Sequence, residues 1–245
     1  MTSKMSRVLS NERLSGAGGV YMMRVEADNT QSVKPGQFYM LSLGHPLLPR
    51  PFSVCELGGG WVDFCYAVCG SGTAKMAAMR PGDGLLLTGP LGNGFDMNAI
   101  NRYERVAVIS GGAGAAPFVE VVKHLKHTPS VFCGFSGASY LTDRFPNVRI
   151  ATEHGDPGNP DRYAGFVTDL FEPDKFDAVL ACGPEGFTRA VVKKCRDAGT
   201  PLYVSVDRRM ACGAGACMVC VCETVHGNKR CCADGPVFRG EELII

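Results

Sequence analysis

Cys212, Cys217, Cys220 and Cys232 are separated by four, two and eleven intervening residues, the spacing that wraps one 2Fe-2S cluster. Two bridged irons need four thiolates converging from outside, and Cys-x4-Cys-x2-Cys supplies three of them from one tight loop. The chemistry this implies is transfer of single electrons. Gly213 and Gly215 let the loop bend, and their missing side chains allow backbone N–H groups to point at the sulfurs, one of the levers on a cluster's reduction potential.

Three other uses of cysteine compete with a cluster. A disulfide framework belongs to short secreted chains that lack an adequate core, whereas this chain has 245 residues, 45% of them hydrophobic, and starts Met-Thr-Ser-Lys without a basic stretch and apolar run. A four-thiolate zinc knuckle usually pairs two Cys-x2-Cys hooks, and only Cys217 and Cys220 make one here. Small buried hydrophobes account for Cys55, Cys65, Cys69, Cys133 and Cys195, but not for six cysteines between positions 212 and 232.

Composition narrows the partners. Lys plus Arg number 25 against 24 Asp plus Glu, and a formal charge of +1 gives no reason to expect nucleic acid or an anionic membrane surface. No run of about 18 apolar residues offers a membrane span. Twelve cysteines without a secretion signal imply a reducing compartment, with the cytoplasm as the expected location.

The elements that must position this chemistry fall into three stretches. Residues 1–99 read as short strands, Val20 to Val25, Gln37 to Leu43, Phe52 to Glu56, Trp61 to Val68 and Gly84 to Thr88, separated by turn signals such as Lys34-Pro35-Gly36 and Arg80-Pro81-Gly82-Asp83. That rhythm suggests an antiparallel β-barrel. Residues 100–206 alternate apolar strands with helices, the pattern of an α/β parallel sheet. The strands are Arg105 to Ser110, Val131 to Phe135, Val148 to Thr152, Ala178 to Cys182 and Leu202 to Val206, with helices over Ala116 to Lys126 and Phe187 to Ala198. Residues 207–245 have little regular pattern and are expected to be ordered mainly by metal.

Each of the first two stretches carries small-residue motifs suited to phosphate. Arg50-Pro51-Phe52-Ser53 combines a fixed bend, a guanidinium suited to a diphosphate and a hydroxyl. Tyr66-Ala67-Val68 leads into Gly70-Ser71-Gly72-Thr73, whose bare N–H groups can cradle a phosphate where a helix begins at Ala74. Ser110-Gly111-Gly112-Ala113-Gly114-Ala115-Ala116-Pro117 sits directly between a strand and a helix, where Gly112 and Gly114 permit backbone approach to a pyrophosphate. It is not the full dinucleotide fingerprint, because Pro117 stands where the last glycine would be. Cys182-Gly183-Pro184-Glu185-Gly186-Phe187 also follows a strand and opens a helix. Ser136-Gly137-Ala138-Ser139 holds no Arg or Lys to meet a 2′-phosphate, which favours NAD over NADP. The five histidines, His45, His124, His127, His154 and His226, show no ligand spacing and read as surface or turn residues.

Taken in order, with Gly89-Pro90-Leu91-Gly92-Asn93-Gly94-Phe95 closing the barrel, these motifs resemble the ferredoxin-reductase type of flavoprotein. The resemblance implies FAD held by Arg50, Pro51, Phe52, Ser53, Tyr66, Ala67, Gly72 and Thr73, and NAD(H) by Gly112, Gly114, Cys182, Gly183 and Pro184. Hydride transfer then needs only nicotinamide and flavin at contact distance, so no catalytic residue is assigned, and Cys182 is not given nucleophilic chemistry.

Adding the cysteine-rich tail, the whole chain resembles the electron-transfer subunits of two-subunit, NAD-linked dihydroorotate dehydrogenase. Its most specific stretches are Gly89 to Phe95, Gly183 to Phe187, Arg209-Met210-Ala211-Cys212-Gly213, Cys217-Met218-Val219-Cys220, and Cys232 followed by Ala233-Asp234-Gly235-Pro236-Val237-Phe238. In that family the last cysteine precedes x-Asp-Gly-Pro-Val-Phe, which points to Cys232 rather than Cys231, although Cys222 and Cys231 leave the ligand register open. The resemblance implies a cytoplasmic heterotetramer of two plus two. In it an FMN-containing catalytic subunit oxidises dihydroorotate to orotate in pyrimidine biosynthesis, and electrons pass through the cluster and FAD to NAD+. The same module serving a hydrogenase or a ferredoxin-dependent transhydrogenase, and a redox sensor without turnover, are the alternatives.

Overall fold

The computed structural model describes residues 2–14, 18–44, 48–155, 159 and 162–245; His45 lies outside them. From its amino end the chain forms β1 (Thr2–Arg13), β2 (Val20–Glu26), β3 (Phe38–Ser42), β4 (Arg50–Ser53), β5 (Glu56–Gly58), β6 (Trp61–Ala67), α1 (Ser71–Ala77) and β7 (Gly84–Leu91). The strands pair antiparallel in the order β4-β3-β7-β1-β2-β6-β5 and curl into a barrel around Phe64, Met23 and Leu41.

Strand β1 had no strand signal in the sequence, and its burial pattern shows why. Ser6 and Val8 point inward while Met5 and Leu9 are 64% and 45% exposed, so the hydrophobic alternation marks no single buried face. Its first half pairs with β7 and its second with β2, with an irregularity between Val8 and Ser10. The expected strand Phe52 to Glu56 is instead two, broken at the fully buried Val54 and Cys55. There the backbone stops pairing with β3 and starts pairing with β6: Val54 N–H donates to Gln37 O at 3.0 Å and Cys55 N–H to Asp63 O at 2.9 Å.

The second half contains α2 (Met97–Ile100), β8 (Val106–Gly111), α3 (Ala116–Val121), β9 (Ser130–Phe135), β10 (Val148–Thr152), β11 (Tyr163–Ala164), β12 (Ala178–Gly183), α4 (Glu185–Ala198) and β13 (Leu202–Val206). Helix α3 is shorter than the expected Ala116 to Lys126, tightening into one 3-10 turn over Val122–His124. Three β-branched residues, Val119, Val121 and Val122, crowd that end. Helix α4 buries Thr188, Val191, Val192 and Cys195, one face at i, i+3, i+4 and i+7, and ends at Gly199 with a left-handed φ of 68°.

The tail departs most from expectation. It forms a hairpin of β14 (Val221–Thr224) and β15 (Gly227–Arg230), and then β16 (Val237–Arg239) adds antiparallel to β13, completing the sheet order β11-β10-β9-β8-β12-β13-β16. Phe238 and Leu243 join the core on one face of that sheet. The carboxyl end is therefore held by a strand and apolar burial as well as by whatever its thiols bind. No described helix is long and apolar enough to cross a membrane.

Phe238 is 6% exposed, so Phe238→Ala should cost about 3–5 kcal/mol. Urea denaturation of the iron-free chain should register this as a lowered midpoint at unchanged slope; a change below about 1 kcal/mol would show that β16 lies outside the cooperative unit.

Candidate functional site

In the parallel sheet, β8 leads toward β9 and β10 on one side while β12 leads to β13 on the other, so a crevice opens between the carboxyl ends of the neighbouring β8 and β12. The loops emerging there are glycine-rich because they touch backbone to backbone. A Cβ on Gly114 would run into the Cys182 carbonyl, and one on Gly111 would lie 3.1 Å from Pro184 Cδ. Thr188 Oγ1 donates to Gly183 O at 3.2 Å and fixes the second loop.

The barrel faces this crevice with β4, the end of β6 and the start of α1. Arg50 lies directly over Gly72, where any Cβ would meet its guanidinium, so the Arg-Pro-Phe-Ser and Gly-Ser-Gly-Thr motifs meet in space. Phe52 packs on Tyr66 with ring centroids 5.8 Å apart, and Tyr66 stacks on Tyr21 at 5.7 Å. Burial raises the Tyr66 phenol to about 12, keeping it a neutral donor to Asn11 Oδ1 at 2.9 Å. The Thr73 hydroxyl is occupied within its own turn, accepting from Cys69 N at 2.9 Å and Gly70 N at 3.1 Å.

Between the two faces lies a cleft of about 820 Å³. Of the sequence-derived candidates, Arg50, Pro51, Phe52, Ser53, Tyr66, Ala67, Gly72, Thr73, Gly114, Cys182, Gly183 and Pro184 all line it. Gly112 does not. Its φ of +54° turns the loop, and a Cβ there would approach only Tyr140 Oη, at 3.9 Å. Desolvation raises the Cys182 thiol to about 12, so it stays protonated and offers shape rather than a nucleophile. Cys69, expected among the buried hydrophobes, is exposed at the cleft, whereas Cys55, Cys65, Cys133 and Cys195 are buried.

Sequence reasoning missed a third wall. Asp207, Arg208, Arg209 and Met210, which leave β13, and Pro236, which precedes β16, also line the cleft. Arg208 Nη1 donates to Glu185 Oε2 at 3.2 Å, linking this wall to the start of α4. The signal available in the sequence was an arginine pair directly after a parallel strand, at the carboxyl edge where ligands bind.

Met210 leads straight into the cysteine loop. Gly213 and Gly215 have left-handed φ values of 67° and 78°, and at Gly213 the loop lies so close to the barrel that a Cβ would sit 2.7 Å from Met40 Cγ. Backbone donors do aim at sulfur: Ala214 N at Cys212 Sγ, 3.3 Å; Gly215 N at Cys232 Sγ, 3.1 Å; Cys232 N at Cys220 Sγ, 3.4 Å. Among the described residues no three His, Cys, Asp or Glu side chains converge as they would on a single ion. The thiols neighbour one another in pairs, Cys212 with Cys217 and Cys220 with Cys232. Two thiolates per iron is what a pair of sulfide-bridged irons requires. Cys222 and Cys231 are both free thiols that neighbour each other, and the Cys222 thiol donates to Lys229 O at 3.6 Å. Arg230 ties the site together, with a two-pronged bond to Asp234 at 2.9 and 3.1 Å and a third from Nη1 to Gly215 O at 3.2 Å; it draws Asp234 down to about 2.

Comparison with known proteins accords with this arrangement. Residues 207–244 match the family model described as the iron-sulfur cluster binding domain of dihydroorotate dehydrogenase B. The chain is 42% identical to the dihydroorotate dehydrogenase B (NAD(+)) electron transfer subunit of Clostridium perfringens, over 95% of each chain. It is 39% identical to the subunit of the same name from Clostridium acetobutylicum, covering 96% of this chain and 95% of the other. Among solved structures, an NADH-dependent reduced ferredoxin-NADP oxidoreductase, described in connection with flavin-based electron bifurcation, superposes with a TM-score of 0.85 at 25% identity, over 98% of this chain and 90% of that one. A ferredoxin NADP+ reductase from Neisseria gonorrhoeae with bound FAD and NADP shares the fold at a TM-score of 0.64 and 16% identity, over 81% and 92%. The chain belongs to the family of dihydroorotate dehydrogenase B electron transfer subunits, and its fold is that of the ferredoxin reductases.

The thiols should separate chemically. The backbone N–H groups of Ala214 and Cys217, with the Cys217 thiol, lower Cys212 to about 6. Alkylation of the iron-free chain at Cys212 should therefore rise with pH and level off above about 6, while Cys182 stays unlabelled in the folded chain even at about pH 9. A Cys212 rate still climbing at about pH 8, read by peptide mass spectrometry, would contradict the geometry of its donors.

Proposed function

We propose that the cleft holds FAD and the nicotinamide of NAD(H), that the tail holds a 2Fe-2S cluster, and that the chain passes electrons between NAD and a partner subunit that oxidises dihydroorotate. The observation that carries this reading is convergence: the barrel's Arg50–Ser53, the crevice of Gly114 and Cys182–Pro184, and the residues leading into the cysteine loop all line one cleft. Bound there, a flavin beside an iron-sulfur cluster supplies the exchange between hydride and single electrons that neither nicotinamide nor cluster makes alone.

The chain's own residues fit these groups. Arg50 carries the positive charge a diphosphate needs, and the glycines at 72, 111 and 114 bring backbone N–H groups to a distance that side chains would forbid. Phe52 and Tyr66 present aromatic surface, and burial keeps both the Tyr66 phenol and the Cys182 thiol neutral. Positioning is the chemistry. Ser136–Ser139 after β9 carries no cation for a 2′-phosphate, so NAD is the dinucleotide.

Cys212, Cys217, Cys220 and Cys232 would hold the cluster, with Cys222 and Cys231 outside the set. Residues 1–99, 100–206 and 207–245 act as flavin, nicotinamide and cluster units. The partner is an FMN-containing catalytic subunit in a cytoplasmic heterotetramer of two plus two.

Anaerobically purified protein should contain iron, acid-labile sulfide and FAD, and NADH should bleach its flavin absorbance; colourless protein, or zinc in place of iron, would end this reading. Cys232→Ser should lose iron and sulfide, and Cys231→Ser should keep both. The reverse result would move the ligand register by one. Gly114→Val, which drives a side chain into the Cys182 carbonyl, should slow NADH bleaching by roughly a hundredfold at unchanged flavin content; an unaltered rate would place the nicotinamide elsewhere.

A further inference from the structure

Asn93 stands in the middle of the Gly92–Phe95 loop that follows β7, flanked by Gly92 and Gly94 with left-handed φ values of 78° and 68°. Although Asn93 is exposed, every polar atom of its side chain is spent on one target, the backbone just beyond Cys232. Nδ2 donates to Asp234 O at 3.1 Å and to Val237 O at 3.0 Å, Oδ1 accepts from Val237 N at 3.2 Å, and the Asn93 backbone N–H donates to Gly235 O at 2.7 Å. Beside it, a Cβ on Gly92 would lie 2.8 Å from Gly235 O and 3.1 Å from Phe38 Cε1. On its other flank the loop is bound into the barrel, by Gln37 Nε2 to Gly92 O at 2.7 Å and Phe95 N to Pro35 O at 2.8 Å.

We propose that Asn93 is a positioning residue that holds the cluster loop in register with the flavin cleft. The inference rests on the functional reading above, because it takes the cleft as the flavin site and the cysteine loop as the cluster site. The loop after β7 joins the two. β7 pairs with β3, whose Phe38 lines the cleft and whose other neighbour is β4 with Arg50–Ser53. The same β7 and β3 supply Leu91 and Met40, which touch the cluster loop at Gly213, beside Cys212. Asn93 secures the far end of that loop, two residues beyond Cys232. Both ends of the cluster segment are thereby referenced to the strands that form the flavin wall. Packing accounts for Gly213 against Met40; at the other end the side-chain amide of Asn93 adds hydrogen-bonding direction from the barrel, since two donors and one acceptor must face two carbonyls and one N–H.

The test uses the full chain with both groups bound, mixed rapidly with NADH, comparing the unmodified protein, Asn93→Ala and Asn93→Asp. Iron, sulfide and flavin contents and the rate of flavin bleaching should stay as in the unmodified chain. Appearance of the reduced cluster's electron paramagnetic resonance signal should slow by roughly tenfold in Asn93→Ala and further in Asn93→Asp, whose carboxylate would face the Asp234 and Val237 carbonyls. A residue that merely filled space would give the opposite ranking, with the near-isosteric aspartate milder than alanine. Cluster reduction within about twofold of the unmodified chain in both variants, or Asn93→Asp faster than Asn93→Ala, overturns the proposal. If either variant fails to assemble a cluster, amide exchange of the iron-free chains decides. Faster exchange over residues 234–237 with the β3 and β7 amides unchanged supports the clamp, and undiminished protection there overturns it. Failure of the functional reading looks different, because it would show in the unmodified chain as absent iron and sulfide or as a cluster that NADH never reduces.

Discussion

Placement of the tail depends on one close contact, where Gly92 after the last barrel strand meets Gly235-Pro236 before the last strand of the second sheet. Neither partner leaves room for a side chain, and the hydrogen bonds of Asn93 hold the approach on one side. Because β16 then pairs with β13, the cysteine-rich segment is fixed at both ends, by the barrel at Gly213 and by the sheet at Val237. The barrel, the parallel sheet and the tail thereby close around one cleft. Short-range electron transfer requires this kind of rigidity, since it depends on distances that flexible linkers do not keep.

A second seam locks the barrel against the α/β half by charge. Glu120 in α3 is 5% exposed, and its carboxylate accepts from Leu57 N in β5 at 3.2 Å while also meeting Lys123 and His124. Lys123 reaches Glu56 at 2.7 Å and Arg144 reaches the same carboxylate at 3.0 Å. Partial burial alone would raise Glu56, but Lys123 and Arg144 hold it below the usual carboxylate range. The network is part-exposed and so of modest energy, and it joins β5 of the barrel to α3 and Arg144 of the α/β half.

Between these two seams the cleft carries little reactive machinery. Cys182 and Tyr66 stay neutral through desolvation, the glycines admit backbone, and charged lining comes from Arg50, Asp207, Arg209 and the Arg208–Glu185 pair. What distinguishes the site is the arrangement of surfaces, which suits a reaction governed by proximity.

Local chemistry was legible in the sequence. The Cys-x4-Cys-x2-Cys loop, the strand-glycine-helix motifs at Gly111–Gly114 and Cys182–Gly186, and the change from strand rhythm to alternating strand and helix each express a constraint contained within a few residues. What the sequence hid was non-local. β1 buries a serine and exposes a methionine and a leucine, so its place between β7 and β2 leaves no hydrophobic period to detect; Val237–Arg239 is too short to announce a strand and becomes one only beside β13. Pairing of Cys232 with Cys220 while Cys231 turns to Cys222, and the capture of the tail by Asn93 from 141 residues away, were likewise decided by folding. Residue type and spacing state which groups are able to bind metal or phosphate, but partners set by backbone approach across the chain exist only once the tertiary structure has brought their elements together.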